Sequence, residues 1–260
     1  MEPAYRKLLV KFLLCFFSAG VFLSCGIDEY YYLNPVPTGN IQVTLNERAT
    51  IQLPGVSANY FTHFTIFYRI YISDYAAPGQ IQTSSTELSR INSALTADYA
   101  AIEPYTTNNT TTTNTNTSSA STLFRNRNYQ VLTYHNAQNG NTADDVISAQ
   151  NTTLLIDFPI TAIYPYLTFN DNVWDLYRST GNGSYSPVPN RYFLNYPELN
   201  NSANASSTVN GDVANNSVSG KRYTYISLYI VTTGLDQQTY TPIYSIPTHI
   251  GIFLLPDPTL

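Results

Sequence analysis

Three histidines, one tryptophan and a few neighbouring carboxylates are the side chains of this sequence whose types permit catalysis or metal binding. His63, His135 and His249 each stand alone in strand-like or turn-like sequence, and none has ligand spacing with another. Each therefore reads as a structural or exposed imidazole. Asp144-Asp145, in "NGNTADDVIS" with Asn139 and Asn141 nearby, has the loose composition of a calcium loop. It lacks the EF-hand register and the closing glutamate, so a solvated turn is expected. Asp171 and Asp175 flank Trp174. Two carboxylates beside an indole could serve glycoside hydrolysis, but turn-and-strand spacing explains them as readily. No HExxH, CxxC, Walker loop, GxGxxG or GxSxG occurs. The expectation is no catalytic residue, no metal site, no cofactor and no enzyme.

The two cysteines, Cys15 and Cys25, lie in "KFLLCFFSAGVFLSCG". Arg6, Lys7 and Lys11 precede an apolar run from Phe12 to Leu23. That run is shorter than the roughly 20 residues a membrane-crossing helix needs, and has the length of a secretory core segment. It closes on Ser24 and Cys25, which resembles the lipobox of bacterial lipoproteins. There the cysteine thiol is acylated and cleavage leaves it as the first residue. The position three before the cysteine, usually Leu, Val or Ile, is Phe22, a departure of the kind found in spirochaetes. On this reading residues 1–24 are a signal peptide, Cys15 leaves with it, and Cys25 carries lipid. No thiol then remains for a disulfide or for nucleophilic catalysis. The mature chain has a net charge of about −7, so lipid and not a basic face would hold it at a membrane. That balance also argues against a nucleic-acid partner.

Tyrosine is the remaining chemical signal, with 23 in 260 residues. In "RYTYISLYIVTT" Tyr223, Tyr225 and Tyr229 oppose Ile226, Leu228 and Ile230. An aligned aromatic face can stack on sugar rings or anchor a protein, and it can equally be a cross-strand sheet stabiliser. This face is the candidate binding surface, with a protein or glycan as the partner it would suit.

The elements that must position these residues are mostly strands. Abundant Tyr and Thr favour strands, while Asn, Ser and Gly favour turns. Residues 25–39, with Pro35 and Pro37, read as a lipidated tether. "NIQVTLN", "ATIQLPG" and "FTIFYRIYIS" follow with period-two alternation. The last has apolar groups on both faces, as a central strand partly covered on its second side would. A helix is predicted over about 85–102. It opens on a capping box from Ser84 to Glu87 and continues with Leu88, Ile91, Leu95, Tyr99 and Ile102. The stretches 106–122 and 200–220 are Asn/Ser/Thr-rich and read as flexible loops. "YQVLTYH", "TTLLIDFP", "YLTFND", "VWDLYRS", "RYFLNYP" and the final "TYTPIYSIPTHIGIFLLP" supply further strands. Together these predict one all-β domain over 40–258. Its expected form is an immunoglobulin/fibronectin-like β-sandwich of about eight to ten strands with one inserted helix.

Four pieces, "SCGIDEYYYLNP", "FTIFYRIY", "VWDLYRSTG" and "GLDQQTYTPIYSIPTHIGIFLLP", frame nearly all of the mature chain. In tone and order they resemble uncharacterised envelope lipoproteins of spirochaetes, especially treponemes. The resemblance implies a protein of the bacterial cell envelope, lipid-anchored in the outer membrane or a periplasmic leaflet. It supplies no catalytic residues to carry over.

Overall fold

The computed structural model describes residues 32–44, 47–77, 79–106, 119–136, 142–159, 165–177, 212–214 and 223–255. All belong to the second of the chain's two units, Tyr32–Leu260.

Two long strands form the centre. β3 (Phe61–Ser73) and β11 (Tyr223–Leu235) pair antiparallel along nearly their whole length, with Ile226 opposite Ile70 and Tyr229 opposite Phe67. β11 pairs on its other side with β13 (Thr248–Leu255) and, further along, with β12 (Pro242–Tyr244). The outer edge of β3 takes β4 (Gln130–Val131) and the parallel β10 (Val213–Ala214). A second sheet is built from β1 (Ile41–Thr44), β2 (Arg48–Gln52), β5 (Thr133–Asn136), β6 (Thr142–Asp144), β7 (Thr153–Asp157), β8 (Tyr166–Phe169) and β9 (Asn172–Tyr177). Its spatial order is β1-β2-β7-β8-β9-β5-β6.

Period-two alternation in β3 and β11 decides the packing. Phe64, Ile66, Tyr68, Ile70, Ile226, Leu228 and Ile230 form one buried cluster with Ala49, Ile51, Leu154, Ile156 and Leu167 of the other sheet. The opposite face of the same strands carries Phe67, Tyr71, Tyr225, Tyr229 and Val231, and it too is buried. Three helices cover it: α1 (Ser85–Ile91), α2 (Ser93–Ile102) and α3 (Ser119–Asn126). Leu88, Ile91 and Leu95 pack on Tyr71 and Tyr225, while Ile102, Ala120 and Phe124 pack on Phe67 and Tyr229. Burying such a side chain contributes about 1.5–3 kcal/mol, which is why two apolar faces demand two covering layers.

The expected all-β immunoglobulin/fibronectin-like β-sandwich with one helix is therefore corrected. The fold is mixed α/β, with two open sheets and three helices of at least seven residues. Thirteen strands lie among the described residues, where about eight to ten were expected. The helix predicted over 85–102 begins at its capping box, Ser84 accepting from the Glu87 amide at 3.3 Å, but it is broken at Asn92. Asn92 is extended and buried. Its side chain accepts from the Ala94 amide and donates to the Ile72 carbonyl, ending one helix, starting the next and fixing both to β3. The stretch 106–122 is not all loop, because Ser119–Thr122 form the first turn of α3. The stretch 200–220 likewise contributes β10, where Asp212 accepts from the Tyr68 hydroxyl at 2.8 Å. Residues 107–118, 200–211, 215–220 and the candidate strand "RYFLNYP" lie outside the described residues. No helix among the described residues is long and apolar enough to cross a membrane.

Candidate functional site

Titratable side chains converge between the central sheet and its helices. Arg69, from the middle of β3, forms an ion pair with Asp98 of α2, and both side chains are largely buried. The Tyr71 hydroxyl donates to the same carboxylate at 2.8 Å. It lies 3.1 Å from the Tyr129 hydroxyl, which lies 3.2 Å from Ser227 Oγ. Arg127 approaches the other Asp98 oxygen at 3.8 Å. Burial raises the Asp98 carboxyl above its ordinary value, although the Arg69 guanidinium and the Tyr71 hydroxyl pull the other way. Burial also raises both phenols, Tyr71 well above the usual range and Tyr129 to about 12. Neither is a base at neutral pH. The cluster is a polar plug that holds α2 to the sheet.

Beside it, Tyr229 and His249 pack with ring centroids 4.7 Å apart and planes tilted at 44°, and Tyr99 meets the imidazole edge-on at 5.4 Å. The Tyr229 hydroxyl, His249 Nε2 and Arg69 Nε are buried without a hydrogen-bond partner. Burial lowers the His249 imidazole to about 4, so it is neutral in the fold.

An open groove of about 830 Å³ lies at one end of the body. One wall is the entering segment with Tyr32, Asn34, Pro35 and Pro37; the other is the β2–β3 loop from Pro54 to Tyr60. The walls are joined through Tyr60, whose hydroxyl donates to the Tyr32 carbonyl at 2.6 Å and accepts from the Tyr32 amide at 3.1 Å. Val56 of the loop donates its amide to Gln150 Oε1 at 2.7 Å. Leu33 and Val36 are fully buried, so the second half of the expected 25–39 tether belongs to the folded body.

The residues singled out from sequence fall as follows. Tyr225 and Tyr229 are buried beneath the helices and Tyr223 is half-buried, so these three do not form an open face. The Tyr225 hydroxyl is occupied, donating to the Tyr75 carbonyl at 2.6 Å and accepting from the Ala77 amide at 2.8 Å. Ser24 and Cys25 lie outside the described residues. His63 stands on β3 with its imidazole lowered by burial, far along the chain from His249, and His135 stands on β5. Among the described residues, no three His, Cys, Asp or Glu side chains come together as a metal set. Asp144 caps its own turn, accepting from the Val146 amide at 2.9 Å. Trp174 and Asp175 are consecutive residues of β9 and so point to opposite faces. The indole packs inward against Tyr134 and Phe169, away from the face that carries Asp175. The sequence reading does not include the groove; its one sequence signal is the spacing of Pro35, Pro37 and Pro54 around Tyr32 and Tyr60.

Compared with protein-family models, with curated proteins and with solved structures, the chain matches none.

Proposed function

We propose that this chain is a lipid-anchored protein of the bacterial cell envelope, acylated at Cys25. Its α/β body serves as a non-catalytic binding or structural domain. The carrying observation is the basic start and short apolar run that close on Ser24-Cys25. The resemblance to treponemal envelope lipoproteins points the same way, and implies an anchor in the outer membrane or a periplasmic leaflet. The body contributes a second line of support. Among the described residues, the cluster of Arg69, Asp98, Tyr71 and Tyr129 is largely buried and is consumed in holding helices to a sheet. A single acyl chain binds a membrane only marginally at about 0.8 kcal/mol per buried methylene, so stable anchoring calls for two or more chains. The glycan-binding alternative loses the tyrosine face on which it stood, because Tyr225 and Tyr229 are interior.

Metabolic labelling with a palmitate analogue tests the anchor. The wild-type chain takes up label and Cys25→Ala does not; equal labelling of the two would refute the reading.

A further inference from the structure

We propose that the end of the body bearing Tyr32, Tyr60 and Tyr240 is a membrane-facing surface, seated at the headgroup level of the bilayer that holds Cys25. The proposal rests on the lipid-anchor reading above.

The tyrosines are brought to one end by register. Tyr60 immediately precedes β3, and its carbonyl accepts from the amide of Leu235, the last residue of β11, at 2.9 Å. Its hydroxyl holds the main chain of Tyr32. Beyond Leu235 the chain turns through Asp236–Thr241 before entering β12, and Tyr240 stands in that turn. Val173 follows the β8–β9 turn, which closes at the Gln52–Thr153 end of its sheet, where the β2–β3 loop departs. Tyr32, Val173 and Tyr240 are 53%, 65% and 76% exposed, three of the four large apolar side chains left in solvent among the described residues.

Tyr240 is costly as it stands. Its φ of 55° is left-handed, a conformation that bulky residues avoid, and its ring gains little from burial within the fold. A surface outside the molecule supplies the missing gain. Tyrosine suits the water–bilayer boundary because its ring is apolar and its hydroxyl is not. The groove beside Tyr32 and Tyr60 opens on the same end.

Geometry selects the membrane over other partners. Seven residue steps separate Cys25 from Tyr32, a reach of at most about 25 Å. β3 alone runs about 40 Å from this end to the far one. The anchor thus confines this end to the neighbourhood of the lipid. Asp171 and Asp236 stand on the rim. The Thr239 hydroxyl and the Gln238 and Thr239 amides hold the Asp236 carboxyl below its usual range, so it stays ionised. The contact is accordingly shallow, and it favours zwitterionic over anionic lipid.

Acylation of Cys25 and loss of Cys15 leave an introduced cysteine as the sole thiol. Gln237→Cys, in the Tyr240 turn, and Asp74→Cys, just beyond the far end of β3, are each labelled with a fluorophore on the full lipidated protein in phosphatidylcholine vesicles. Doxyl-phosphatidylcholine should quench the label at 237 roughly two-fold and spare the label at 74. Adding Tyr32→Ser and Tyr240→Ser should abolish quenching at 237 while the protein still floats with the vesicles. A floating protein whose 237 label is unquenched overturns the surface and leaves the anchor standing, whether a protein, a glycan or only water covers that end. A protein that carries no acyl label and does not float overturns the anchor, and the surface with it.

Discussion

Asp98 concentrates the energetics of the interior. Arg69 and Tyr71 both bond to it, and Arg127 approaches from the helix side. Removing one partner of a buried ion pair strands the other charge. Asp98→Asn should therefore lower stability by about 3–5 kcal/mol in urea denaturation, whereas Arg69→Met with Asp98→Leu should recover most of that loss. A double variant as unstable as the single one would show that the pair contributes more than mutual neutralisation. His249 gives the molecule a pH dependence. Its imidazole is held neutral to about pH 4 in the fold but titrates near 6.5 in the unfolded chain. The unfolded state therefore binds more protons between those values. The contribution is complete above pH 6.5 and is lost as the pH falls towards 4, amounting to roughly 2–3 kcal/mol. His249→Phe keeps an aromatic ring between Tyr229 and Tyr99 and should flatten that acid limb. Denaturation at pH 7 and pH 4.5 measures it, and an unchanged difference between the two would contradict a neutral imidazole.

At the level of elements, the junctions matter more than the strands they join. Asn92 ends α1, starts α2 and bonds to the Ile72 carbonyl of β3. Asn92→Ala should cost about 1–3 kcal/mol, since it removes a cap and leaves buried main-chain groups unpaired. Hydrogen exchange should show the loss spreading into both helices. Gly234 is a second junction. A Cβ there would meet the Tyr60 carbonyl at 2.6 Å and the Leu33 side chain at 3.0 Å. Gly234→Ala must displace main chain and should lower stability by about 1–3 kcal/mol. A variant as stable as the parent would mean that the entering segment is not fixed against β11. These junctions also mark where sequence reading stops. The capping box at Ser84 and the Ile/Leu alternation of β11 were legible, because each is local and periodic. The break at Asn92 was not, because an apolar repeat continues across it and the bonds that fix it run to Ile72 of β3 as well as to Ala94. Nor was α3 legible: eight residues opening on Ser119 carry too few turns to show a period within a Ser/Thr-rich stretch. Alternation sets the tyrosines of β11 opposite its Ile/Leu stripe, but it does not say whether that second face meets water or helices.

For the whole molecule, most of the described strands are legible as period-two alternation, while their number and layering are not. β3 and β11 serve two cores at once, so the tyrosine face opposite the Ile/Leu stripe reads as a binding surface until the helices are in place. The groove and the tyrosine end depend on contacts between residues far apart in the chain, such as Tyr32 with Tyr60 and Leu235 with Tyr60, which no local pattern encodes. The entering segment has a mechanical side as well. The Asn34 carbonyl accepts from the Thr232 hydroxyl and the Val36 carbonyl from the Thr248 hydroxyl, each at 2.7 Å, with Leu33 and Val36 sunk between. Under the anchor proposed at Cys25, drag on the body enters through this segment. It is passed as shear into β11 and β13, two of the longer strands, so tension is shared along a sheet and does not peel off a terminus one bond at a time.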